Sequence, residues 1–257
     1  MKIKGFTLAE VLITLGIIGV VSALVLPQFT TNTYNQAHAA KLSTVLTDYE
    51  NIFGMMLLKE SADTIFDTEF GKAYSAGAVS TSAAAMKTAL GNYAKINRTG
   101  TSTSGLGYLS KLNTHPIIPS AFAANTIMHD INGGAVDSDT FNFVLGVSTS
   151  SGAVLFFKAP QKITVSTDSW MVATIFIDVN GSGSPNKFGR DVFAVVLDED
   201  GHLFPYGSSN AAEVLGLAAT NVWDNANANT STKCNDANYN GLGCTARLIE
   251  NNYKIDY

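Results

Sequence analysis

From Phe6 to Leu26 the sequence reads FTLAEVLITLGIIGVVSALVL, in which Glu10 is the only ionisable side chain. About 20 apolar residues suffice to cross the hydrocarbon core of a bilayer as a helix, so this run constrains the chain more than any other feature. A carboxylate in such a segment costs roughly 2.5 to 3.5 kcal/mol on insertion scales, which calls for a partner or a function. A discarded secretory signal would gain nothing from Glu10, and the apolar run continues past the small residues Val21-Ser22-Ala23 to Leu26 before Pro27 follows. A plain membrane anchor is the blander reading, with Lys2 and Lys4 keeping the N-terminus inside.

Gly5-Phe6-Thr7-Leu8-Ala9-Glu10-Val11-Leu12, followed by a long apolar helix and Pro27, resembles the leader of type IV pilins and type II secretion pseudopilins. The combination is specific: a short basic leader, a Gly before a Phe, a Glu four residues on, and an apolar run of membrane length. The resemblance implies cleavage between Gly5 and Phe6 by a prepilin peptidase, with methylation of the new Phe6 amine. Loss of Lys2 and Lys4 would then take the formal charge from −5 to −7. It also implies a role for Glu10. In a staggered array of helices its carboxylate meets the Phe6 amine of a neighbouring protomer, turning two costly ions into a pair that fixes register. A carboxylate near a helix N-terminus is favoured by the macrodipole as well, and the two roles are compatible.

Beyond Pro27 the helical pattern resumes. Leu42, Val45, Leu46, Tyr49, Ile52, Phe53, Met56 and Leu57 recur at three- and four-residue spacing, while Lys41, Thr44, Asp48, Glu50 and Asn51 take other faces. This is one amphipathic stripe, read as a domain-packing face. Proline removes a backbone donor and bends helices, so a kink is expected at Pro27. At 1.5 Å per residue the span from Phe6 to Ser61 would reach roughly 80 Å. The expected organisation is a leader (1–5), a membrane and assembly half-helix (6–27), an amphipathic half-helix (28–61) and a globular domain (62–257).

Residues 71–126 are rich in Ser, Thr, Ala and Gly, with a short helix expected around Ser82–Lys95 and a loop at RTGTSTSGLG. Those glycines lack the Gly-Lys-Ser/Thr ending that grips phosphate. His115 and His129 come with neither a serine elbow nor paired-histidine zinc spacing, and they read as solvated loop residues. From Thr140 the period becomes two. Phe141, Phe143, Leu145 and Val147 alternate, STSSG turns the chain and AVLFFK returns as a hairpin. MVATIFI and DVFAVVL form a second pair, Asp198-Glu199-Asp200-Gly201 turns, and HLFPY adds a short strand. Four or five antiparallel strands, with one face on the helical stripe, give an α+β fold.

Between the second pair lies DVNGSGSPNKFGRD. Asp178, Asn180, Ser182 and Asp191 offer oxygen ligands along a glycine-loosened backbone, as a hard cation such as calcium requires. Some pseudopilins hold calcium in a similar loop. The alternative is a turn in which Asp178 and Asn180 cap backbone amides. In the tail, Cys234 and Cys244 read as a disulfide if the domain is exported and as free thiols in the cytosol. Pilins commonly staple this region, so the resemblance implies the bridge.

The sixteen Lys and Arg are scattered singly in a chain of net charge −5, which leaves no footprint for nucleic acid. The resemblance implies a structural subunit of a pilus or a type II secretion pseudopilus, polymerised through its N-terminal helix, and the chain is expected not to be an enzyme. It would reside as a single-pass protein in a bacterial inner membrane and then in a periplasmic or cell-surface filament. Its expected partners are other pilin or pseudopilin protomers, the peptidase, and a membrane platform with a cytoplasmic ATPase. The competing class is a membrane-anchored or secreted ligand-binding module.

Overall fold

A computed structural model of the chain describes residues 7–76, 79–101, 144–181, 187–218, 220–225, 234 and 241–255. Phe141, Phe143, His115 and His129 lie outside them, as do Gly5, Phe6 and Ser182.

Helix α1 (Leu8–Glu60) opens on a capping box built by Thr7 and Glu10 and ends at Ser61 in the left-handed conformation (φ 49°). It stays helical through Pro27, so the expected bend does not interrupt it. The two halves differ in surroundings. Leu8–Val25 is long and apolar enough to cross a membrane, and none of it is buried by the rest of the chain. From Ala39 onward the stripe Leu42, Val45, Leu46, Tyr49, Ile52, Phe53 and Met56 is buried against the globular domain.

A 3-10 turn (Ile65–Asp67), α2 (Glu69–Ser75) and α3 (Val79–Gly91) follow. Phe70 and Tyr74 of α2 pack their rings on Phe157 at 5.6 and 6.0 Å, tying this helical segment to the sheet. Gly71 permits the tight entry to α2: a Cβ there would lie 2.1 Å from the Ile65 carbonyl oxygen.

The described strands are β1 (Ile96–Thr101), β2 (Leu145–Thr149), β3 (Val154–Phe157), β4 (Gln161–Val165), β5 (Asp168–Asp178), β6 (Val192–Leu197) and β7 (Leu203–Pro205). They form one sheet in the order β1-β2-β3-β5-β6-β7, with β4 beside the first half of β5 and every pairing antiparallel. The hairpin and the central pair are as expected, but seven strands replace four or five. β1 lies in the Gly/Thr segment read as a loop. β4 forms a largely exposed ribbon with β5, so it carries no buried alternation to betray it. The short helix expected at Ser82–Lys95 runs instead from Val79 to Gly91.

The sheet is covered on both faces. Leu145, Val147, Leu155, Phe157, Ala173, Ile175, Ile177, Phe193, Val195 and Leu197 meet the α1 stripe. Val172 and Val196, on the other face, meet Ala211 of α4 (Ser209–Val214). This explains why β6 is buried at all six positions and reads as a continuous apolar run. Gly201 closes the turn before β7 (φ 86°), where a Cβ would come 3.0 Å from that of Phe53.

Candidate functional site

At the start of α1 the Thr7 backbone N–H donates to Glu10 Oε2 (2.7 Å), the Thr7 hydroxyl donates to the same oxygen (2.8 Å), and the Glu10 N–H donates back to the hydroxyl (3.3 Å). Two otherwise orphaned helix-start donors are thereby satisfied. The carboxylate is thus accommodated within its own helix, at the N-terminal end of the exposed apolar segment. The Thr-x-x-Glu pattern is a signature visible in the sequence, and the structure adds to it the role of Thr7 as the cap.

A second constellation lies where β5 passes into β6. Asp178, the last residue of β5, is fully buried. Its Oδ1 accepts from the backbone N–H groups of Asn180 (3.1 Å) and Gly181 (2.9 Å), which is the capped turn weighed above. Its Oδ2 is equally buried and has no hydrogen-bond partner among the described residues. Asp191, also fully buried, accepts from Asn180 Nδ2 (2.9 Å) and from the Lys187 N–H (2.7 Å), and its own carbonyl accepts from the Val179 N–H (2.9 Å). Asp178, Asn180 and Asp191 are therefore brought together. Burial, and then the nearby Asp191 charge, hold the Asp178 carboxyl well above the usual carboxylate range; the two amide donors and Lys41 oppose this.

The donor set suits an oxygen-seeking cation. It comprises two buried carboxylates linked through Asn180, whose backbone N–H donates to Asp178 and whose side-chain amide donates to Asp191, with Asp178 Oδ2 lacking a hydrogen-bond partner among the described residues. Lys41 of α1 is the nearby cation that the sequence reading placed only on a helix face. Partial burial lowers its pKa and attraction to Asp178 raises it, with burial prevailing.

The tail is stapled by a Cys234–Cys244 disulfide, with the Cα atoms 4.7 Å apart. Cys244 opens α5 (Cys244–Glu250), and the buried Thr245 hydroxyl accepts from the Ala194 N–H of β6 at 2.9 Å. Thr245 thus closes part of β6 that β7 does not reach, since β7 pairs only with Val195–Leu197. Trp223 Nε1 donates to Glu250 (2.6 Å), and the Arg247 guanidinium lies 5.3 Å from the Trp223 ring centre. At the β6–β7 turn, ligand atoms of Asp198, Asp200 and His202 lie within 4.8 Å of one another. Asp198 also accepts from the His202 N–H (2.7 Å), and Asp200 and His202 are exposed, as in an ordinary polar turn.

Residues 1–26 match the prokaryotic N-terminal methylation motif, the prepilin-type cleavage and methylation segment of type IV pilins and pseudopilins. No curated protein and no solved structure matches the chain. The match covers the N-terminal segment alone; it supports a pilin- or pseudopilin-like protein and implies prepilin peptidase processing and assembly with other pilin subunits, and the apolar helix is in keeping with membrane anchoring beforehand.

Proposed function

We propose that the chain is a subunit of a type IV pilus or a secretion pseudopilus, polymerised through the first half of α1. The observation that carries this is the Leu8–Val25 surface. It is an apolar helix with no cover from its own chain, and its single carboxylate sits at the N-terminal end inside the methylation motif. Within the membrane such a helix has no hydrophobic drive to fold onto its own domain, and packing against identical helices satisfies it once subunits are extracted. The Thr7–Glu10 box keeps the carboxylate hydrogen-bonded until then. On assembly the Phe6 amine of a neighbour takes it as counter-ion. A platform protein and a cytoplasmic ATPase supply the work of extraction.

Two measurements test this. Intact mass of the mature chain gives a start at a methylated Phe6, whereas a start at Leu24 refutes the filament reading. Glu10→Ala leaves membrane-fraction yield unchanged or raised and lowers sheared-filament yield; equal filament yields refute the pairing role.

We also propose that Asp178, Asn180 and Asp191 hold calcium, with Ser182 as a further oxygen donor from the same loop. The buried, partnerless Asp178 Oδ2 favours this over a simple capped turn. The bound ion supplies structural closure of the β5–β6 connection. Calcium then raises the melting temperature relative to chelator, by the equivalent of about 2.7 kcal/mol at a hundredfold excess over Kd. Magnesium substitutes poorly, because it holds its water shell and demands octahedral geometry. An unmoved melting temperature assigns the loop to turn capping alone.

A further inference from the structure

The buried carboxylate pair lies at the end of the sheet that carries the β2–β3 turn. Asp178 is paired with Val154, the first residue of β3, and Gly152 of the turn stands two residues earlier. Lys41 reaches this same end from α1: a Cβ placed on Gly152 would lie 3.7 Å from its Nζ. Asp178 and Asp191 are both fully buried, and Asp178 Oδ2 has no hydrogen-bond partner among the described residues. Lys41 makes no ion pair at salt-bridge distance with them among the described residues. It is close enough to be attracted by Asp178 without satisfying it.

We propose that Lys41 is the built-in counter-ion of the Asp178–Asp191 pair and competes with a divalent cation for it, so that metal occupancy displaces the Lys41 head group from this end of the sheet. The proposal rests on the calcium reading of this loop.

Charge balance sets the competition. Two ionised carboxylates carry −2, and buried charge is tolerated only when compensated. The Lys41 ammonium stands at a distance and hydrogen-bonds neither carboxylate, which leaves Asp178 Oδ2 open to a second cation for that charge. A calcium ion compensates all of it, and then a neighbouring ammonium is a repulsive surplus. Lys41 has somewhere to go: it is half-buried on the flank of the stripe, and four methylenes let its head group swing to solvent. Asp191 and the N–H groups of Asn180 and Gly181 face Asp178 from the loop itself, and Lys41 is the cation acting on it from α1.

The test uses the processed full-length chain in detergent micelles, with calcium chloride as the probe and a chelator as the reference. Parent, Lys41→Met and Asp178→Asn proteins are melted across a calcium series, and Lys41 is followed in the parent as a 13C-dimethyl-lysine resonance. Lys41→Met should reach its half-maximal melting shift at calcium at least tenfold lower than the parent, and Asp178→Asn should show no shift. The Lys41 resonance in the parent should move on calcium addition with the same midpoint as the melting shift. Equal midpoints for parent and Lys41→Met, or a resonance that ignores calcium while the melting temperature rises, overturn the role of Lys41 and leave the calcium site standing. No shift in either protein overturns both. If Lys41→Met does not fold, Lys41→Gln replaces it and the resonance of the parent remains decisive.

Discussion

Replacing Phe53 by alanine asks whether the α1 stripe holds the domain together or waits for a partner. Phe53 is fully buried, its ring lies 6.0 Å from Tyr49 and 5.9 Å from Phe70, and its Cβ supports the Gly201 turn. Removing such a ring from a packed core costs about 3 to 5 kcal/mol, which combines lost transfer energy with an unfilled cavity. That is a large part of the roughly 5 to 15 kcal/mol available to a typical domain. Leu58, five residues further on and 82% exposed, is the matched control, and Leu58→Ala should stay within about 0.5 kcal/mol of the parent. The assay is urea denaturation of the processed chain in micelles, followed by fluorescence of Trp170 and Trp223, the only two tryptophans of the sequence. With a slope of about 1 to 3 kcal/mol per molar urea, Phe53→Ala should lower the midpoint by at least about 1 M. An unchanged midpoint together with lost filaments would show that the stripe serves a partner and not the fold.

Asp178→Asn keeps an oxygen for the Asn180 and Gly181 amides but cannot ionise. The folded pKa of Asp178 is raised above its unfolded value of about 3.9, so the folded state holds the extra proton and the parent loses stability as pH rises above about 4. In chelator the variant should therefore be the more stable at neutral pH, with an advantage that vanishes toward pH 4; a pH-independent difference refutes this. Thr245→Val strips the acceptor from the buried Ala194 N–H and should cost about 1 to 3 kcal/mol in urea titrations, with Thr245→Ser close to the parent. Reducing the Cys234–Cys244 bridge should cost about 2 to 3 kcal/mol, measured as the midpoint difference with and without dithiothreitol.

The parts legible in the sequence depend on local pattern. The apolar run, the Thr7-x-x-Glu10 box and the stripe from Leu42 to Met56 follow from spacing along one helix, because a helix satisfies its own backbone and needs no distant partner to be recognised. The strands at Val154–Phe157 and Val192–Leu197 announce themselves by apolar residues and flanking turns. β1 and β4 do not: Ile96–Thr101 is held by pairing with Leu145–Thr149, and Gln161–Val165 by pairing with Asp168–Val172, so their strand character comes from neighbours and not from their own residues.

Three facts belong to the tertiary structure alone. The sheet is buried on both faces, Thr245 closes the open stretch of β6, and Lys41 reaches the turn that flanks Asp178 across more than a hundred residues of chain. The sequence by itself determined the long N-terminal helix with its apolar stripe, which carboxylates stand in unusual company and how the N-terminus is marked for processing. Folding decided which of those carboxylates are desolvated and which cation stands near them. Burial and Coulomb attraction depend on separation in space, and the chain's one-dimensional order carries no measure of that until the long-range pairings form.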